Sequence, residues 1–195
     1  RVGFWDALDC VGVNAYWTLR PGGRNLPPAD LPAALDAGWT SVIDELDRFR
    51  SDAGLPEMPV VFTEIGYTWR RNGTVQPWAG TGFWLRLPEE DEHPELFVWG
   101  SEPLDLDERA EAIRALDRVL GRREGPELLA GLLWWKLTSI PGHREIEPFV
   151  AVLGDPGETD LFRALRELAD RPPAADDGTG ADRPDGVLGS GFQDP

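Results

Sequence analysis

Apolar residues alternate along this chain between short continuous runs and longer stretches at helical spacing. Residues 10–15 (Cys-Val-Gly-Val-Asn-Ala) and 128–137 (Leu-Leu-Ala-Gly-Leu-Leu-Trp-Trp-Lys-Leu) predict buried strands. Val60, Val61 and Phe62, set behind Pro59, predict a strand buried on both faces. Between the runs, Trp39, Val42, Ile43, Leu46 and Phe49 recur on one face of a helix expected over 37–53, with Gly54 as its stop. A second helix is expected over 105–123, carrying Leu106, Ala110, Ile113, Leu116, Val119 and Leu120, with Asp105 or Asp107 as its cap. A third is expected over 158–169. Residues 20–33 are rich in Pro and Gly and read as a surface loop. Residues 68–104 sustain no period, although they hold Trp69, Trp78, Phe83, Trp84 and Trp99. They read as an active-site wall or a small hairpin, the aromatic content favouring the wall.

Strand, helix and strand in that order predict a parallel sheet of the α/β class with right-handed crossovers. Such an arrangement gathers Asn14, Tyr16 and Trp17, then Thr63 and Glu64, then Trp134 and Trp135, on one rim at the strands' C-terminal ends. Glu64 carries the chemistry there. An ionised carboxylate at the end of a buried strand costs several kcal/mol unless a partner satisfies it, so it is either paired for structure or used. Gly66, two residues on, permits a sharp turn or the close approach of another group.

With 195 residues, 41% of them hydrophobic, the chain is long enough for one domain with a sizeable core. From residue 171 the composition shifts to Pro, Asp, Gly and Ala, so residues 1–170 are expected to form the domain and 171–195 a disordered acidic tail or linker. The formal charge of −16, with Lys136 the only lysine, argues against nucleic acid and anionic membrane surfaces as partners. No apolar run approaches the ~20 residues that span a bilayer. Cys10 is the single cysteine, expected as a packed thiol, and His93 and His143 stand far apart, so neither a metal nor another cofactor is expected.

The segments Phe4-Trp5-Asp6-Ala7-Leu8-Asp9-Cys10-Val11-Gly12-Val13-Asn14-Ala15-Tyr16, Pro59-Val60-Val61-Phe62-Thr63-Glu64-Ile65-Gly66-Tyr67 and Gly131-Leu132-Leu133-Trp134-Trp135-Lys136 resemble strands six, seven and eight of glycoside hydrolase family 113. These are β-mannanase-like retaining enzymes of the TIM-barrel clan A. The resemblance covers about residues 4–170, and Phe-Thr-Glu-Ile-Gly-Tyr is its sharpest part. It implies a partial (β/α)8 TIM barrel, with active-site groups at the C-terminal ends of its strands. Glu64 would be the catalytic nucleophile, and Tyr16 would donate a hydrogen bond that orients it. Trp135 would form the floor under the sugar, and Trp78 would be a loop tryptophan near the cleft. Asn14, Trp17 and Trp134 join the substrate-binding set by their place on the rim. Strand alternation sends one of the adjacent pair inward, expected to be Trp135, and the other to the helix layer.

The departures from the family pattern are as informative. Retention needs a second carboxyl group, which the clan places after an asparagine at the end of the fourth strand, and the chain shows no such strand. Leu137 stands where an aromatic is common, and 79–103 resembles an insertion. The expectation is therefore the C-terminal portion of a longer retaining glycosidase for β-linked, mannan-like polysaccharide, inactive alone and with open sheet edges. Glu102, Glu145 and Glu147 qualify as the missing acid by type only and read as solvated surface charges. The alternative is a catalytically dead barrel used as a carbohydrate-binding or interaction module. A third reading, a self-contained small α/β domain, treats the similarity as incidental. A secreted or cell-envelope location would suit a polysaccharide hydrolase; oligomeric state is not legible.

Overall fold

The three expected strands lie side by side as one parallel sheet. A computed structural model of the chain describes residues 7–20, 26–77, 83–86, 95–98, 103–124, 127–145 and 147–171. In chain order it contains β1 (Val11–Ala15), α1 (Leu31–Ala53), β2 (Val60–Ile65), β3 (Phe83–Arg86), β4 (Glu95–Val98), α2 (Leu106–Gly121), β5 (Leu129–Trp134), β6 (Leu137–Thr138), β7 (Ala151–Val152) and α3 (Thr159–Ala169). The main sheet runs β1-β2-β5, every pairing parallel, and among the described residues its strands do not close into a barrel. The α/β class with parallel strands is the one expected.

Helix α1 starts at Leu31 rather than 37, because Pro32 is tolerated in a first turn, where its missing N–H would have no partner anyway. It ends at Gly54, which takes the left-handed conformation (φ 78°) and donates to the carbonyls of Arg50 and Ser51. Leu35, Trp39, Val42, Ile43 and Leu46 are buried, whereas Phe49, expected on that face, is 43% exposed. Arg50 is buried in its stead. Its guanidinium donates to the Met58 carbonyl at 2.7 Å and to Asp47 at 2.9 Å, tying the end of α1 to the connection that feeds β2. Asp105 caps α2, accepting from the Glu108 amide at 3.2 Å.

One face of the sheet is built for burial. Val60, Phe62 and Ile65 are fully buried, Phe62 stacks on Trp39 of α1 with ring centroids 6.1 Å apart, and Trp17 meets both rings edge-on. Helix α2 packs against both α1 and α3 to complete that layer. The opposite face differs from expectation: Gly12, Asn14 and Thr63 are exposed, and Leu133 is 63% exposed. The strand read as buried on both faces is thus buried on one, since no described element covers the other. Cys10 also departs from expectation, lying exposed just before β1.

Of the long unpatterned stretch, β3 and β4 form an antiparallel pair, which favours the hairpin over the wall. Trp78, Trp99, His93, Glu102, Phe4 to Asp6 and the tail from 172 lie outside the described residues.

A candidate active site at the strand ends

The register between β1 and β2 shifts once. Val13 pairs with Phe62 but Asn14 pairs with Glu64, so Thr63 is the extra residue of a bulge that re-aims the end of β2. Thr63 Oγ1 donates to Asn14 Oδ1 at 2.8 Å across the pair. Tyr16, one residue past β1, donates its phenolic hydrogen to Glu64 Oε2 at 2.9 Å. Burial pushes the Tyr16 pKa up, the hydrogen bond to Glu64 adds to that, and the charges of Glu64 and Glu147 reinforce it. The phenol therefore stays protonated and acts only as a donor to the carboxylate. A carboxylate at a strand end that is partly exposed and, among the described residues, held by one donor is a nucleophile or a hydroxyl acceptor by chemistry.

The end of β5 is drawn in by close backbone contact. Trp135 N donates to Ile65 O at 2.8 Å, and a Cβ at Gly66 would stand 2.3 Å from the Trp135 carbonyl oxygen. Only glycine at 66 admits that approach. The Trp135–Lys136 peptide is cis. The Trp135 indole is 44% exposed, and the Lys136 ammonium lies 5.6 Å from its ring centroid. Trp134 goes the other way, packing against the core, and so does Trp17. The structure therefore brings Asn14, Tyr16, Glu64 and Trp135 to one rim, and places Trp17 and Trp134 in the helix layer. Trp78 lies outside the described residues.

Glu147 belongs to this site, although the sequence alone reads it as a solvated surface charge. Its Oε2 lies 3.1 Å from Lys136 Nζ, and its Oε1 accepts from the Phe149 amide at 3.3 Å. The segment it opens is stitched to the rim: Trp69 N donates to Pro148 O at 3.1 Å, and the Phe149 ring meets Tyr16 edge-on at 5.8 Å. No local pattern announces Glu147; the only signal was a lone lysine following two tryptophans, which needed an acidic partner. Both Glu147 oxygens are thereby engaged, one by the Lys136 ammonium and one by the Phe149 amide.

Two buried polar clusters hold the loops behind the rim. Glu108 accepts from Arg20 (2.7 Å), from the Thr74 hydroxyl (2.6 Å) and from the Asn72 amide (2.8 Å), joining the loop after β1 to the turn after β2. Arg109 pairs with Glu158 and donates to Val150 O at 3.0 Å, anchoring the residue next to Phe149. A groove of about 530 Å³ beside α3, lined by Gly154, Pro156, Thr159 and Phe162, takes in none of the rim side chains.

No family model and no curated protein matches the chain. Solved structures similar to it include three of family 113 enzymes. One is the family 113 β-mannanase of Alicyclobacillus acidocaldarius in complex with ManMIm, at 23% identity and a TM-score of 0.47 over 86% of this chain. The others are two structures of family 113 β-1,4-mannanase, at 17% and 15% identity and TM-scores of 0.48 and 0.45, each over 87% of this chain. The chain spans 42% of the length of each.

Proposed function

We propose that the strand ends form the nucleophile side of a retaining glycosidase site for β-linked, mannan-type polysaccharide. The observation that carries this reading is the 2.9 Å hydrogen bond from Tyr16 to Glu64 Oε2, made at the rim where the Phe-Thr-Glu-Ile-Gly-Tyr motif resembles family 113. Tyr16 engages one carboxylate oxygen and aims the other at the anomeric carbon. A pyranose stacked by its C–H face on the Trp135 indole presents that carbon. Attack by Glu64 forms a glycosyl ester as the bond from C1 to the leaving oxygen breaks; water then cleaves the ester with retention.

Retention also requires an acid/base carboxyl group about 5–5.5 Å away. Glu147 is taken up by Lys136 and the Phe149 amide and is not assigned that role; in this reading the acid/base comes from outside the described residues. That same observation favours a second reading, a carbohydrate-binding module in which Glu64 only accepts sugar hydroxyls.

A 2-deoxy-2-fluoro-β-mannosyl fluoride separates the two, because fluoride departs with its electron pair and needs no acid to assist it. The glycosidase reading expects an intact-mass increase of one fluoromannosyl group that disappears in Glu64→Gln. Binding of mannotetraose with no covalent adduct would establish the module instead.

A further inference from the structure

The Lys136 ammonium over the Trp135 indole, with its Glu147 partner, has no part in the reaction just described, yet it borders the same surface. Lys136 Nζ sits 5.6 Å from the Trp135 centroid and 3.1 Å from Glu147 Oε2. The two side chains are 41% and 27% exposed, so a sugar lying on the indole would meet them. Lysine is a compact point charge with three donors, of which Glu147 takes one. Its presence is notable in a chain whose every other strong base is arginine. Counting Glu64 as −1, Glu147 as −1 and Lys136 as +1, these three described side chains sum to −1.

We propose that Lys136 and Glu147 form a charge filter at the sugar platform, selecting uncharged pyranosides over uronic acids. The inference rests on the site being a sugar site. Lys136 donates a hydrogen bond to a hydroxyl of the stacked ring, while Glu147 both orients the ammonium and cancels the attraction it would otherwise exert on a sugar carboxylate. The unbalanced negative charge of Glu64 then repels a uronate at contact range. Long-range repulsion from the overall charge of −16 does not do the same work, because it is screened beyond about 8 Å at physiological salt.

The test is titration calorimetry of the full chain with β-1,4-mannotetraose and, separately, tetramannuronate, in wild type, Glu147→Gln, Lys136→Met and Trp135→Ala. Wild type should favour the neutral sugar. Glu147→Gln keeps an acceptor for the Phe149 amide, and should narrow the preference by about three- to ten-fold through tighter uronate binding. Lys136→Met should widen it and weaken the neutral sugar. Trp135→Ala should lose both ligands. If Trp135→Ala abolishes binding while the neutral-to-uronate ratio is the same in wild type, Glu147→Gln and Lys136→Met, the filter is wrong and the sugar site stands. If wild type binds neither oligosaccharide, filter and sugar site fall together.

Discussion

The molecule has two kinds of polar centre, and they are built oppositely. Behind the rim, Arg109 and Glu158 are fully buried, Arg20 and Glu108 nearly so, and Glu108 is surrounded by donors. At the rim, Glu64 is half-exposed and, among the described hydrogen bonds, receives one, from Tyr16. A saturated buried cluster holds loops in place, since breaking it strands a charge in low dielectric. A partly satisfied carboxylate at a strand end retains acceptor capacity that a substrate can use. Stability should therefore reside in the first kind of centre and function in the second.

The largest expected effect comes from breaking the buried kind. Glu158→Ala leaves the Arg109 guanidinium uncompensated and should lower unfolding stability by about 3–5 kcal/mol in urea titrations. A loss under about 1 kcal/mol would erase the contrast. Gly66→Ala, forced against the Trp135 carbonyl, should cost about 1–3 kcal/mol and, under the proposed function, also slow fluoroglycoside labelling, because it displaces the indole from Glu64.

Between α1 and α2, burial works against the Asp36 carboxylate, but hydrogen bonds from Arg118 and Arg122 outweigh it and hold its carboxyl below the usual range. A depressed folded pKa adds stability that is present above the unfolded value of about 3.9 and is lost as pH falls through the folded one. Melting temperature should decline on acidification from pH about 5, and less steeply in Asp36→Asn. Glu64→Gln should have the smallest effect on stability, within about 0.5 kcal/mol, while abolishing labelling. A large destabilisation would make Glu64 a structural carboxylate.

The fold and the rim half of this division were legible in the sequence; the buried Arg20–Glu108 and Arg109–Glu158 clusters, joined by residues far apart in the chain, were not. Periodicity located every main helix and strand, and the Phe-Thr-Glu-Ile-Gly-Tyr segment drew attention to Glu64 with Tyr16 as its partner. Where the reading departed from the structure, contacts distant in sequence decided. Phe49 yields its place to Arg50 because the Met58 carbonyl needs a donor. Glu147 joins the rim because β6 and β7 pair and fold it back onto Lys136. Trp17 follows a strand end yet turns into the core, where Trp39 and Phe62 offer it aromatic edges. The open sheet face could not be foreseen from a run of Val-Val-Phe, which looks the same whether one face or two are covered.

The most direct measurement is the rate at which 2-deoxy-2-fluoro-β-mannosyl fluoride modifies the wild-type chain and Tyr16→Phe, with the modified peptide sequenced by mass spectrometry. The account predicts a single adduct on Glu64, formed at least ten-fold more slowly without the phenol. An unmodified wild-type chain, an adduct on another residue, or equal rates in the two proteins would contradict it.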